Sequence, residues 1–253
     1  MKKIIIITLM VVLMSACSFQ KNTKTNLKEL VLAKETQHAV IYVRKTDQDI
    51  NDMVEIISNE FDAQYKRLNN LFQVSSPQKA VIHIYTDKDQ FQEMIGRDTE
   101  GTYDARDKII KVYTPNDLSR IDVRNEYTDQ IVHEYVHAII QQINQEIGDV
   151  KWLDEGTAYY ASNQLEAEIK SRKYVIALVP DLSEFLESDT YFDKAGGHAY
   201  YFSGLIVQFI YEKYGEDKFN QIIREPKEME NILNKSIEDL YIEWKEYVNT
   251  LYK

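Results

Sequence analysis

The sequence predicts an α+β fold, in which a small sheet forms first and a mainly helical part follows. Short segments in which apolar and polar residues alternate, as in strands, are confined to the chain up to Tyr113. Beyond that point, apolar residues recur at the three- and four-residue spacing of helices. A hydrophobic fraction of 44% indicates a folded chain and excludes a disordered one.

The N-terminal segment has the pattern of an export signal. Two lysines precede an apolar run over 4–14, which is shorter than the roughly 20 residues of a membrane-spanning helix. Met14-Ser15-Ala16-Cys17 resembles a bacterial lipobox, so we expect 1–16 to be a lipoprotein signal peptide and Cys17 to carry the lipid. The lipid would hold the chain on the extracytoplasmic face of the cell membrane. An ordinary secretory signal with an incidental cysteine is the alternative.

A tether is predicted between this signal and the domain. The segment 17–37 begins with the lipidated cysteine and continues as a polar stretch with scattered lysines. The domain is then expected to span 38–253. Because Cys17 is the only cysteine, the domain has no intramolecular disulfide, and its stability must come from its core or from a bound metal.

The first strand of the domain is predicted over 38–43 and the first helix over 50–72. Apolar residues recur at helical spacing in the helix, and Thr46-Asp47-Gln48-Asp49 resembles a capping box before it. Pro77 follows the end of this helix. The segment 80–85 alternates as a second strand does.

A short helix and two strands are predicted before the helical part begins. The helix covers 87–95 and is stopped by Gly96. The strands lie within 101–113 and are joined by a bend at 105–107. The remaining helices are predicted over 125–147, 152–171, 197–214 and 236–251.

The charge balance argues against nucleic acid as a partner. The chain has 30 Lys and Arg residues against 41 Asp and Glu residues, which gives a formal net charge of −11. A nucleic-acid-binding protein needs a basic surface to contact the phosphates.

An HExxH motif, formed by His133, Glu134 and His137, lies inside the predicted helix 125–147. Positions i and i+4 of a helix point the same way, so both imidazoles can reach one metal ion, with Glu134 beside it. The apolar residues around the motif indicate a buried helix, in which unpartnered histidines would be costly. Two hydrogen-bonded core histidines are the alternative to a metal site.

A third ligand is predicted at Glu155, near the start of the helix 152–171. Catalytic zinc has three protein ligands and an open position for water. A turn at Gly148 followed by an antiparallel helix would return Glu155 to the histidines, giving a site for one Zn²⁺ per chain. Considered alone, Glu155 could instead be an acid that the dipole of its helix stabilises.

These residues resemble the gluzincin metallopeptidases, which share HExxH with a Glu from a following helix. The segment 152–159 looks like the glutamate helix of the thermolysin-related and aminopeptidase-like branches. Tyr201-Phe202-Ser203-Gly204 resembles the aminopeptidase-like segment in which a Tyr hydrogen-bonds the transition state. The resemblance implies a zincin-like fold, with a small mixed sheet whose edge strand lies over the HExxH helix.

The resemblance also implies a zinc-dependent peptidase acting on peptides or proteins. Zinc would lower the pKa of its bound water and polarise the scissile carbonyl, with Glu134 as the general base. Tyr201 would stabilise the transition state, with Tyr200 and His198 as neighbouring candidates. A peptide substrate could pair with the strand at 109–113.

The sequence departs from the aminopeptidases at one motif. The Gly-x-Met-Glu-Asn segment that anchors a free N-terminus is missing from the sequence, and Gly101-Thr102-Tyr103-Asp104 stands in that region. We therefore expect an endopeptidase rather than an exopeptidase. The acid that orients a zinc-bound histidine is left open among Glu126, Asp129 and Asp154.

Two other functions are compatible with these residues. A lipoprotein that holds zinc or binds a partner without turnover would need the ligands but not Glu134, so the presence of Glu134 favours the peptidase. A zinc hydrolase acting on a different kind of bond would use every one of these catalytic residues, so the sequence leaves it open.

Overall fold

The structure, a computed structural model, describes residues 30–44, 50–75, 78–171, 179–186 and 188–251. The predicted signal peptide over 1–16, the lipidation site at Cys17 and the predicted capping box over 46–49 lie outside the described residues. Within the described part of the chain, no helix is both long enough and apolar enough to cross a membrane.

A mixed five-stranded sheet forms the N-terminal part of the fold. Its strands are β1 (Leu30–Glu35), β2 (Ala39–Arg44), β3 (Ala80–Tyr85), β4 (Gly101–Asp104) and β5 (Ile109–Tyr113). They lie in the order β1-β2-β3-β5-β4, with β2, β3 and β5 parallel and the two outer strands antiparallel to their neighbours. The predicted α+β class, with a small mixed sheet, is therefore confirmed.

Strand β1 lies inside the segment predicted to be a tether, so residues 30–35 belong to the sheet instead. The strand pairs with β2 along its length, with an irregularity in register between Leu32 and Lys34. As an outer strand it leaves most of its side chains exposed, and Leu32 is 54% exposed. A strand with so little burial has only a weak hydrophobic pattern, which explains why the composition of the surrounding polar stretch concealed it.

Three helices accompany the sheet: α1 (Asn51–Leu71), α2 (Lys88–Ile95) and α3 (Ile121–Ile143). Helix α1 packs against β1 and β2, and α3 packs against β4 and β5. Helix α2 is capped at its N-terminus by Asp87, whose side chain accepts a hydrogen bond from the amide of Gln90, and at its C-terminus by Gly96, which has a φ of 82°. The core between the sheet and these helices fixes α3 beneath the β4 edge.

The C-terminal part is mostly helical. Its helices are α4 (Lys151–Ala161), α5 (Gln164–Ser171), α6 (Leu182–Leu186), α7 (Ser188–Ala195), α8 (Gly197–Tyr214), α9 (Glu216–Arg224), α10 (Met229–Leu233) and α11 (Ile237–Leu251). The bounds of α8 and α11 agree with the predictions. The short helices α6, α7, α9 and α10, of five to nine residues, were not predicted.

The helix predicted over 152–171 is divided into α4 and α5. Asn163, between them, has a φ of 71°, a left-handed conformation that Asn adopts more readily than most residues. This break sets the direction of α5, so that its first residue, Gln164, faces α3. On its other side α4 packs tightly on α8, where any side chain at Gly156 would meet the backbone of Ser203.

Candidate metal centre

Helix α3 brings the HExxH residues into a cleft of about 480 Å³ beside the sheet edge. His133, Glu134 and His137 all line this cleft and are 4–8% exposed. Other side chains of α3, including those of Ile131, Val136 and Ile140, are buried in the core. The apolar face of α3 therefore anchors the helix while the motif faces the cleft.

Helix α4 returns Glu155 to the two histidines, as the spacing predicted. Its Oε2 atom lies 3.4 Å from Nε2 of His133 and 3.5 Å from Nε2 of His137. The two Nε2 atoms lie 3.1 Å apart. Three potential ligand atoms, from two buried histidines and a carboxylate that is 19% exposed, thus converge on one point.

The spacing of these atoms fits a metal ion. Ligands about 2.0–2.1 Å from a tetrahedral metal lie about 3.3–3.4 Å from one another. The three observed separations, 3.1, 3.4 and 3.5 Å, bracket this value. His133, His137 and Glu155 could therefore hold a metal ion with little movement, which is the coarser part of the predicted zinc site.

The second nitrogen of each imidazole has its own partner. Nδ1 of His137 lies 2.8 Å from Oδ1 of Asp154, and Nδ1 of His133 lies 2.8 Å from Oε1 of Gln164. If each Nδ1 donates a proton to its partner, each Nε2 keeps a free lone pair for a metal. Of the three acids left open by the sequence, Asp154 is the one in this position, whereas Asp129 hydrogen-bonds Asn163.

A chain of amides links His133 to Glu134. Nε2 of Gln164 donates to Oε1 of Gln130 at 3.1 Å, and Nε2 of Gln130 donates to Oε1 of Glu134 at 2.9 Å. Oε1 of Gln164 accepts from His133, so a single orientation of each amide group satisfies all three hydrogen bonds. This chain of hydrogen bonds therefore fixes the side chain of His133, a candidate ligand, together with that of Glu134.

The electrostatics of the cluster favour positive charge at its centre. Burial would raise the pKa of Glu155, but contacts with His133 and His137 outweigh burial and hold that pKa below its usual range. Burial likewise opposes the charged form of His137, but Asp154 and Glu155 together raise its pKa. A metal cation would supply the same positive charge between the carboxylate and the imidazoles.

Glu134 lies beside the cluster and directly under strand β4. A Cβ atom added to Gly101 would lie 2.6 Å from Oε1 of Glu134 and 2.7 Å from Nε2 of Gln130, so any side chain at this position of β4 would require those two side chains to move. Burial raises the pKa of the Glu134 carboxyl, and the two histidines oppose this effect. The backbone of β4 is thus in close contact with the predicted general base.

The exposed sheet edge at the cleft belongs to β4 and not to the strand predicted for substrate pairing. Strand β5, at 109–113, lies between β3 and β4 and is hydrogen-bonded to both. Of β4 and β5, only β4 has an outer edge that is unpaired among the described strands and could accept an extended peptide. The predicted pairing of a peptide with the strand at 109–113 is therefore wrong, because this strand has no free edge.

Tyr200, and not Tyr201, lines the cleft. Tyr201 is fully buried in the core of the helical part. The ring centroid of His198 lies 6.5 Å from that of Phe202. Burial raises the pKa of the Tyr200 hydroxyl, and the nearby charge of Glu155 adds to the effect. Consecutive residues of a helix point about 100° apart, so the sequence alone could not decide between two adjacent tyrosines on α8.

Sequence reasoning missed several polar residues of the cleft, among them Gln130, Gln164 and Arg97. Gln130 is one turn before Glu134, and this i, i+4 relationship was the one available signal. The position of Gln164 in the cleft depends on the break at Asn163. Arg97, which donates to Oγ1 of Thr102, lies on a loop. Neither residue belongs to a periodic pattern that would have revealed it.

No model of a known protein family matches this chain, and a search of curated proteins finds no match. The function must therefore be inferred from the chemistry of the cleft.

Proposed function

We propose that this chain is a zinc-dependent endopeptidase of the gluzincin type, held on the extracytoplasmic face of a bacterial membrane by a lipid on Cys17. One observation carries the proposal: the cleft combines three convergent ligand atoms with the buried carboxylate of Glu134, which lies outside the ligand group. A protein that only holds zinc needs the ligands and has no use for Glu134.

The donor set supports zinc as the metal. Two imidazole nitrogens and one carboxylate oxygen are the three protein ligands of one established type of catalytic zinc site. When bound, zinc supplies Lewis acidity that polarises a carbonyl and lowers the pKa of a water. The hydrogen bonds that Asp154 and Gln164 make with the imidazoles are of the kind that orients such ligands.

Glu134 is the general base in this proposal. Gln130 holds its Oε1 atom, which leaves Oε2 to accept a proton from the attacking water. The protonated carboxyl can then donate that proton to the leaving amine. Tyr200 is the candidate donor to the negative charge that develops on the carbonyl oxygen, because its side chain lines the same cleft as Glu134.

Strand β4 is the proposed platform for the substrate. Backbone groups on its outer edge can hydrogen-bond an extended peptide, and Gly101 brings that peptide close to Glu134. This relationship between an edge strand and the HExxH helix also supports a zincin-like fold. The endopeptidase assignment depends on the sequence of β4, which lacks the motif that anchors a free N-terminus.

The proposal is tested by exposing a mixed peptide library to the zinc-loaded chain from residue 18 onward and identifying products by mass spectrometry. The matched control is Glu134→Gln, which keeps the size of the side chain and is compared at equal zinc content. Cleavage inside peptides by the wild type alone is the expected result. If the two proteins cleave equally, or if the wild type with zinc bound cleaves no peptide, the proposal is wrong.

A further inference from the structure

A second cavity adjoins the metal cleft. It has a volume of about 670 Å³ and lies at the end of the interface between α3 and the sheet. Tyr103 of β4 and Gln141 of α3 line both cavities and so stand between them. A chain bound in the metal cleft along β4 can therefore extend past these two side chains into the second cavity.

The floor of this second cavity is apolar, and part of its wall can form hydrogen bonds. Ile110, Tyr135 and Ile139 line it and are at most 5% exposed. Four amide side chains also line it, and each can donate to or accept from a peptide backbone. They belong to Gln78, Gln141, Gln142 and Gln145.

The charged residues of the second cavity are all cations. Lys79, Arg106 and Lys108 line it, and no aspartate or glutamate does so in the described part of the chain. This is unexpected in a protein with a formal net charge of −11. The metal cleft differs in this respect, since its lining includes Asp98, Glu100, Glu134, Asp154 and Glu155.

Among these three cations, Lys108 is the one whose charge is not balanced by a salt bridge within the described residues. Lys79 forms a salt bridge of 2.7 Å with Glu35, and Arg106 forms one of 2.7 Å with Asp104. The ammonium group of Lys108 has no salt bridge within the described residues. An anionic group entering the cavity would therefore meet one uncompensated cation and two partly compensated ones.

We propose that the second cavity is a subsite for an acidic segment of the peptide substrate, so that the enzyme prefers substrates with Asp or Glu near the cleaved bond. The inference depends on the proposed peptidase function. Gly101 and Tyr103 are two residues apart on one face of β4, a distance of about 7 Å. A peptide added to β4 thus reaches the cavity about two residues from the bond beside Glu134.

The test compares binding of two synthetic peptide sets that differ only in Glu or Gln at positions two to four residues from a fixed central bond. Binding is measured on the zinc-loaded Glu134→Gln protein, which leaves the peptides intact, and cleavage is measured separately with Glu134 present. Lys108→Asn is introduced both into the Glu134→Gln protein and into the protein that keeps Glu134, and it removes the unbalanced charge. Asn tolerates the positive φ of 58° at this position. Lys227 is exposed and does not line the cavity, so Lys227→Asn is the matched control.

We expect the Glu peptides to bind about two- to fivefold more tightly than the Gln peptides, as for a partly exposed ion pair. Lys108→Asn should abolish this ratio, and Lys227→Asn should retain it. Equal binding of the two sets, or the same loss in both lysine variants, would overturn the subsite. If both peptide sets are cleaved at the same rate, the peptidase function is supported and the subsite is contradicted. If the Glu peptides bind more tightly but no peptide is cleaved, the subsite is supported and the peptidase function is contradicted.

Discussion

Nδ1 of His137 lies 2.8 Å from Oδ1 of Asp154, the residue immediately before Glu155. The start of α4 therefore supplies two adjacent carboxylates with different tasks. Glu155 faces the Nε2 atoms of both histidines, while Asp154 reaches behind one of them and fixes its ring. Both contacts depend on the short turn that returns α4 across α3.

Asp154→Ala should weaken zinc binding about 10- to 100-fold, because the ring of His137 loses the partner that orients it and favours its metal-binding tautomer. Competition with a chromophoric chelator measures the affinity. The control is Asp149→Ala, which removes an exposed carboxylate from the same turn. Equal affinity in the wild type and Asp154→Ala would show that Asp154 has no such role.

A pair of variants at Gln164 should separate its two hydrogen bonds. Gln164→Glu can still accept from Nδ1 of His133 but cannot donate to Gln130, so zinc affinity should be kept while turnover falls severalfold. Gln164→Leu loses both bonds, and zinc affinity should fall as well. Chelator competition and peptide turnover are measured on both variants, and an identical response in the two would contradict the amide chain.

The sequence predicted most of the fold wherever a segment was long or alternated clearly. Strands β2 to β5 and helices α1, α2, α8 and α11 lie close to their predicted bounds. Strand β1 was missed because it is an exposed outer strand, and the break between α4 and α5 was missed because it depends on the conformation of one residue, Asn163. Local patterns contain little information about such features.

The same distinction holds for the candidate site. His133, His137 and Glu155 were predicted because the helical repeat and a short turn fix their relative positions. The choice between Tyr200 and Tyr201 depends on the rotation of α8 about its axis, which tertiary packing decides. Gln164 reaches His133 only because α5 changes direction, so no spacing rule connects the two.

Gly101→Ala should reduce turnover by at least about tenfold without removing zinc. The new methyl group would lie 2.6 Å from Oε1 of Glu134 and 2.7 Å from Nε2 of Gln130, and it would displace the proposed general base. Gly148→Ala is the control, since its nearest neighbour, Oδ2 of Asp154, would lie at 3.8 Å. Full activity of Gly101→Ala at equal zinc content would contradict the close contact between β4 and Glu134.

Glu155→Gln should lower the zinc content of the purified chain, because the neutral amide replaces the only carboxylate among the three ligand groups. Zinc should also raise the melting temperature of the wild type more than that of the variant. Metal analysis and thermal unfolding with and without zinc measure the two effects. The control is Glu166→Gln, which changes an exposed residue of α5. Unchanged zinc content in Glu155→Gln would show that Glu155 is not a ligand.

Tyr200→Phe should lower kcat about 10- to 1000-fold and leave zinc affinity unchanged, since the hydroxyl would act only on charge that develops during the reaction. Tyr201→Phe is the matched comparison, because it removes the same atom from the adjacent residue, which is buried away from the cleft. We expect Tyr201→Phe to keep its turnover and to differ, if at all, in melting temperature. A loss of kcat in Tyr201→Phe alone would assign the role to the residue favoured by the sequence, and would require α8 to rotate when substrate binds.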